Sequence, residues 1–180
     1  MRIVAGTWRG RTLKSPTWEG LRPTSDRLRE TLFNIVGPAV RGARVLDGYA
    51  GTGAIGLEAM SRGAAMVTFV ERDARAVKLI ETNFAALDTG GAAKPVIIRA
   101  GFADAAARLK GEPFDLIIVD PPYAHDAADA ALDAAGSLAG PATRVVVEHA
   151  ARYPPPAARG GLRLTRTVSA GDSALSFYER

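Results

Sequence analysis

The 180-residue chain contains no cysteine, which excludes a disulfide framework and thiolate chemistry. Its only histidines are His125 and His149, too few for a Cys/His metal cluster, so no metal site is expected. No apolar run approaches the ~20 residues that a membrane-spanning helix needs. The N-terminus also lacks the basic segment and apolar core of a secretory signal. A cytoplasmic protein without a membrane partner is therefore expected. What is present is ordinary globular composition, 47% apolar and 23% charged, which argues against disorder. Such a length suits one domain able to bury a core without staples. Residues 1–180 are expected to form that domain, with residues 1–24 as a basic β-hairpin extension.

Acidic residues are scarce at one end. Residues 1–44 hold nine Lys/Arg against Glu19, Asp26 and Glu30, a net +6. The remainder holds 14 basic and 16 acidic residues, a net −2. A basic arm on a near-neutral body is an electrostatic footprint for phosphate; a solvated surface gives the same count.

Two short β-like stretches, Arg2–Ala5 and Arg11–Lys14, flank Gly6-Thr7-Trp8-Arg9-Gly10 and predict the hairpin. Thr24 or Ser25 can then cap a helix that aligns Leu28, Leu32, Ile35 and Val36. From Ala43 the pattern alternates. Apolar runs ending at Asp47, Val70, Arg99, Val119 and Glu148 are separated by helical segments, among them Gly53–Arg62 and a helix capped by Asp73 with Val77, Ile80, Phe84 and Leu87 at helical spacing. Such β-α-β-α order predicts a parallel sheet covered on both faces. Leu162–Ser169 and Ser173–Tyr178, joined through Gly171-Asp172, predict an antiparallel pair at the end.

The first chemical motif is Asp47-Gly48-Tyr49-Ala50-Gly51-Thr52-Gly53, between a strand and a helix. Open α/β sheets bind ligands at that edge. Gly51 to Gly56 formally matches the dinucleotide fingerprint G-x-G-x-x-G. Asp47, however, stands at the strand end where it would repel pyrophosphate, while it could accept bonds from the ammonium of a methionine-like tail. Glu71, ending the next strand, is placed to accept ribose hydroxyls.

The second motif is Asp120-Pro121-Pro122-Tyr123, directly after the apolar run Phe114–Val119. Consecutive prolines fix φ and leave their carbonyls free as rigid acceptors. An exocyclic base amine is a poor nucleophile because its lone pair is delocalised into the ring. Two acceptors on its hydrogens, the Asp120 carboxylate and the Pro121 carbonyl, would redirect that lone pair, and alignment would supply much of the rest. Asp120 or water can take the released proton. Pro122 and Tyr123 would face the base, and stacking on Tyr123 is worth roughly 1–3 kcal/mol.

With both motifs in place, the chain resembles the Rossmann-like S-adenosylmethionine-dependent amine methyltransferases. The opening Arg2–Gly10, with Leu21-Arg22-Pro23-Thr24 and Arg29–Asn34, resembles the RsmD family of bacterial 16S rRNA guanine-N2 methyltransferases. The resemblance implies a seven-stranded, mostly parallel sheet with an antiparallel last strand. It implies methylation of a guanine of 16S rRNA within the small ribosomal subunit or an assembly intermediate, and a monomer is expected. By motif position Asp47, Gly51, Gly53 and Glu71 would hold S-adenosylmethionine, with Ala50, Thr52, Arg72 and Phe102 beside them. Asp120, Pro121 and Tyr123 would carry catalysis. Arg9, Arg11 and Lys14 would position RNA, and Arg22 and Thr24 would face either the cofactor or the RNA.

Three departures from the family pattern stand out. Gly48-Tyr49 replaces the usual Leu-Phe. Gly101-Phe102-Ala103 stands where an Asp-Ala pair usually reads adenine, leaving the Phe102 backbone N–H and ring for that task. The proline- and alanine-rich segment between His149 and Leu162 predicts a short or missing helix. Other readings stay open: methylation of adenine N6 in DNA, of glutamine in a protein, an NAD-dependent oxidoreductase, or a noncatalytic RNA-binding module.

Overall fold

The apolar runs become strands because β-branched residues fill them and a helix covers each side of the sheet they form. A computed structural model of the chain describes residues 1–18, 25–87, 90, 94–122 and 126–180. In chain order the elements are α1 (Asp26–Val36), a 3-10 turn (Gly37–Val40), β1 (Arg44–Gly48), α2 (Ala54–Ser61), β2 (Met66–Glu71), α3 (Ala74–Ala85) and β3 (Val96–Arg99). There follow α4 (Phe102–Arg108), β4 (Leu116–Val119), α5 (Ala127–Leu138), β5 (Arg144–Ala150), β6 (Ala158–Arg159), β7 (Leu162–Ala170) and β8 (Ser173–Glu179). The sheet runs β3-β2-β1-β4-β5-β8-β7-β6. Strands β1 to β5 are mutually parallel, and β8 inserts antiparallel between β5 and β7.

Seven of these strands were expected; the eighth, β6, is a two-residue edge pairing with Arg163 and Leu162. It occupies the segment where a helix was expected to be short or missing, and no helix forms between His149 and Leu162. Pro154–Pro156 cannot donate to a helix, and the chain is instead drawn against α5. A Cβ on Gly160 would lie 2.5 Å from the Leu132 carbonyl oxygen, and one on Gly136 2.0 Å from that of Gly160.

Alternation divides each strand between two cores. Val45, Phe69, Ile118 and Leu175 face α1, α2 and α3. Leu46, Val70, Ile117 and Val147 face α4 and α5. Ser25 caps α1, its hydroxyl accepting from Leu28 N–H, and Asp73 caps α3. The buried stripe of α3 is rotated from the expected one: Ala76, Leu79, Ile80 and Asn83 are buried, and Val77 and Phe84 only partly.

The N-terminal hairpin is looser than two regular strands. One antiparallel bridge joins Arg2 to Thr12, extended by bonds from Ile3 N–H to Arg11 and from Leu13 N–H to Met1. The physical reason lies in α2. Glu58 accepts from Val4 N–H at 2.7 Å and Ala5 N–H at 2.9 Å. Ser61 accepts from Trp8 N–H and donates to the Ala5 carbonyl. Groups that a partner strand would pair are thus satisfied by a helix. Asn83 of α3 completes the clasp, accepting from Lys14 N–H and donating to the carbonyls of Lys14 and Thr52.

Candidate active site

Strands β1 and β4 are hydrogen-bonded parallel neighbours, with Asp47 opposite Ile118 and Gly48 opposite Val119. The chain leaves β1 toward β2 and β4 toward β5, so the sheet order reverses between them and opens a crevice at their carboxyl ends. The glycine loop and Asp120-Pro121-Pro122 therefore emerge side by side. Asp120 N–H still reaches back to the Gly48 carbonyl at 3.4 Å.

Asp47 is buried, and its Oδ2 accepts from Gly56 N–H at 2.8 Å. Gly53, the N-cap of α2, has no side chain to offer, so Asp47 caps the third residue of that helix from nine residues upstream. Burial pushes its carboxyl up to about 8; the Gly56 bond opposes this, while the nearby charges of Asp120 and Glu71 add to it. Gly51 and Gly53 adopt φ of 55° and 76°, which favour glycine. Glu71 is buried, accepting from Gly51 N–H and Asp73 N–H, both at 2.8 Å. It ties the loop to the end of β2 and keeps further lone pairs for a ligand.

Of the other expected cofactor residues, Ala50 anchors the loop through its N–H on the Val70 carbonyl, 2.9 Å away. The Thr52 hydroxyl turns toward the Met1 sulfur at 3.6 Å, so the Thr52 side chain belongs to the clasp with the N-terminal segment. Arg72 is exposed. Burial raises the pKa of the Tyr49 hydroxyl, with Arg72 pulling it back. Phe102 is buried at the start of α4, and its ring lies 5.4 Å from that of Tyr49. Two departures from the family pattern prove to be one: a Cβ on Gly48 would sit 2.6 Å from the Phe102 ring, so Phe102 fills the space that glycine leaves. Tyr49 accompanies this packing with φ of 62°, the one positive φ among non-glycine described residues.

Asp120 is half-buried, and the loss of surrounding water pushes its carboxyl up to about 7. Pro121 is buried and Pro122 exposed. Tyr123, Arg22 and Thr24 lie outside the described residues. Arg9, Arg11 and Lys14 are all exposed. Arg9 also lines a cavity of about 360 Å³ with Arg2, Asp26, Arg27 and Glu30, between the N-terminal segment and α1 rather than at the strand ends. Sequence reasoning missed Glu58, Ser61 and Asn83. The Glu58/Ser61 spacing of three places both on one helix face, which is the only local signal any of them gives.

A family described as conserved hypothetical protein 95 matches residues 1–179. Ribosomal RNA small subunit methyltransferase D of Escherichia coli K12 is 38% identical, the match covering 100% of this chain and 90% of that one. The chain belongs to the RsmD methyltransferase family. A further relative, the putative rRNA methyltransferase YlbH of Bacillus subtilis, is 32% identical over 100% of this chain and 99% of its own. Among solved structures, the putative methyltransferase yhhF from Escherichia coli superposes with a TM-score of 0.86 at 32% identity, covering 100% and 97% of the two chains. The rRNA methyltransferase aviRa from Streptomyces viridochromogenes, at 16% identity and a TM-score of 0.69, covering 91% of this chain and 88% of its own, shares the fold alone.

Proposed function

We propose that this chain transfers a methyl group from S-adenosylmethionine to the exocyclic N2 amine of a guanine in 16S rRNA of the small ribosomal subunit. One observation carries the reading: the glycine loop and the Asp120-Pro121-Pro122 turn leave adjacent parallel strands into one crevice. Relatives named as ribosomal RNA small subunit methyltransferases support the choice of rRNA.

The residues fit such a cofactor. Asp47, Glu71 and Asp120 gather at the crevice, and burial pushes the first up to about 8 and the last up to about 7. A ligand carrying ammonium and sulfonium charge relieves that crowding, whereas the pyrophosphate of a nicotinamide dinucleotide aggravates it. Asp47 would hold the ammonium, Glu71 the ribose, and Gly51 and Gly53 would let the backbone approach. Phe102 would offer its backbone N–H to the adenine, since the first bond within α4 runs from Ala105 N–H to Gly101. When bound, S-adenosylmethionine supplies an activated methyl on its sulfonium.

The remaining work falls to the chain's own groups. The Asp120 carboxylate and the Pro121 carbonyl accept the two hydrogens of the amine and turn its lone pair out of the ring. Asp120, with a pKa near neutrality, is matched to taking the proton released. Tyr123 would stack on the base. Arg9, Arg11 and Lys14, with Arg22, would position RNA phosphates. The test is methyl transfer from labelled S-adenosylmethionine to small subunits from a strain lacking this protein, followed by nucleoside digestion. Label in N2-methylguanosine is expected; label in methyladenosine, in protein or nowhere would overturn the reading.

A further inference from the structure

Four carboxylates lie at or near the carboxyl ends of four consecutive strands, on one face of the sheet. Glu71 ends β2, Asp47 lies in β1, Asp120 follows β4, and Glu148 lies near the end of β5. Their facing follows from register. Asp47 pairs with Ile118 and Glu148 with Leu175, both in the core under α1 to α3. Val70 and Val119 pack on the opposite core, so Glu71 and Asp120, one residue on, face the same way as the other two. Glu148 is only 5% exposed. The last register pair between β4 and β5 is Val119 with Val147, which sets Glu148 beside Asp120 on the neighbouring strand.

The geometry points to Glu148 as the residue that selects guanine, its carboxylate accepting the N1–H of a base whose N2 amine lies against Asp120 and Pro121. This rests on the guanine reading above and assigns it a further residue. Neighbouring strands stand ~4.8 Å apart, so one base edge can touch acceptors on both. Guanine presents N1–H and the N2 amine side by side as donors. Adenine presents a lone pair at N1 and no amine at C2, so a buried carboxylate there repels it. Of the four carboxylates, two would then serve the cofactor, one the reacting amine and one the identity of the base.

The test uses the full chain and small-subunit particles reconstituted with rRNA carrying guanine or 2-aminopurine at the mapped target. 2-Aminopurine keeps the amine and loses N1–H. Wild-type kcat/KM is expected to fall about 10- to 100-fold on 2-aminopurine, the scale of one lost hydrogen bond to a charged group. Glu148→Gln, whose amide keeps an acceptor for guanine and offers a donor to the N1 lone pair of 2-aminopurine, should narrow the wild-type preference for guanine by about 10-fold or more, losing on guanine and gaining on 2-aminopurine, with cofactor affinity by calorimetry unchanged. Equal losses on the two bases would assign Glu148 to holding the strands together and overturn the inference. Equal wild-type rates on the two bases would overturn it without any variant, even if Glu148→Gln fails to fold. No wild-type transfer to guanine would overturn the underlying reading and this inference with it.

Discussion

Asp120 carries the sharpest expectation at the scale of single residues. Its role needs the deprotonated form, and burial pushes its pKa up to about 7. Activity should therefore be present above that value and fall as pH drops below it. Asp120→Ala should cost at least about 100-fold in kcat while S-adenosylmethionine affinity holds within a few fold. Asp120→Asn separates acceptor from base: partial activity without the acid limb means an acceptor suffices. A fully active alanine variant, measured by single-turnover transfer, would remove Asp120 from the chemistry. Asp47 gives a prediction of opposite sense, on stability. Its carboxyl is raised from 3.8 to about 8 in the fold, so the folded state holds its proton more tightly than the unfolded chain. That contribution is complete below about pH 4 and is lost as pH rises through about 8. Without cofactor, the melting temperature should decline between pH 6 and 9, and Asp47→Asn, which keeps an acceptor for Gly56 N–H, should flatten the decline. Saturating S-adenosylmethionine should flatten it too, with protons released on binding at pH 7, as calorimetry in two buffers of different ionisation enthalpy would measure. An unchanged decline in Asp47→Asn would place the titration elsewhere.

Among the elements, the N-terminal segment depends on close approach. Gly6 has φ of 84°, and an added Cβ would lie 1.9 Å from the Ser61 carbonyl oxygen. Gly6→Ala is expected to cost about 2 kcal/mol or more, lowering the melting temperature by roughly 4–8 °C. Ser61→Ala, which removes bonds to Trp8 N–H and the Ala5 carbonyl, should cost about 1–3 kcal/mol. Denaturant titration of both variants tests this; wild-type stability in Gly6→Ala would mean the segment rests loosely on α2. These contacts also mark where the sequence stopped being legible. The strands, the Ser25 cap and the glycine loop were readable because each depends on residues within a few positions. The clasp was not, because Glu58, Ser61 and Asn83 act on residues 31 to 69 positions away. Apolar periodicity alone placed Val77 and Phe84 on the buried stripe of α3, since nothing local reveals that polar Asn83 is buried to hold Lys14 and Thr52. The pairing of Gly48 with Phe102 was likewise invisible, each appearing as a separate departure until the ring was found filling the gap.

Over the whole molecule, the net +6 of residues 1–44 is only partly available to a partner. Arg2 and Arg29 pair with Asp26 at 3.7 and 2.8 Å, and Arg44 pairs with Glu112 at 2.9 Å; Arg29 is fully buried. Arg9, Arg11, Lys14, Arg27 and Arg41 remain exposed. The first three lie on a segment fixed to the glycine loop at both ends, Lys14 through Asn83 and Met1 through Thr52. A cation on a backbone held that firmly loses little backbone entropy when it meets a phosphate, so its contact should appear in the salt dependence of RNA binding. Each contact with single-stranded RNA contributes about 0.7 to the slope of log K against log salt. Replacing Arg9, Arg11 and Lys14 together by glutamine should therefore flatten that slope by about two units if all three touch phosphate. Lys110, exposed just beyond α4 on the other side of the sheet, is the control, and Lys110→Gln should leave the slope unchanged. If the triple variant keeps the wild-type slope, the basic arm is solvated surface, and the charge asymmetry along the chain says nothing about where RNA lies.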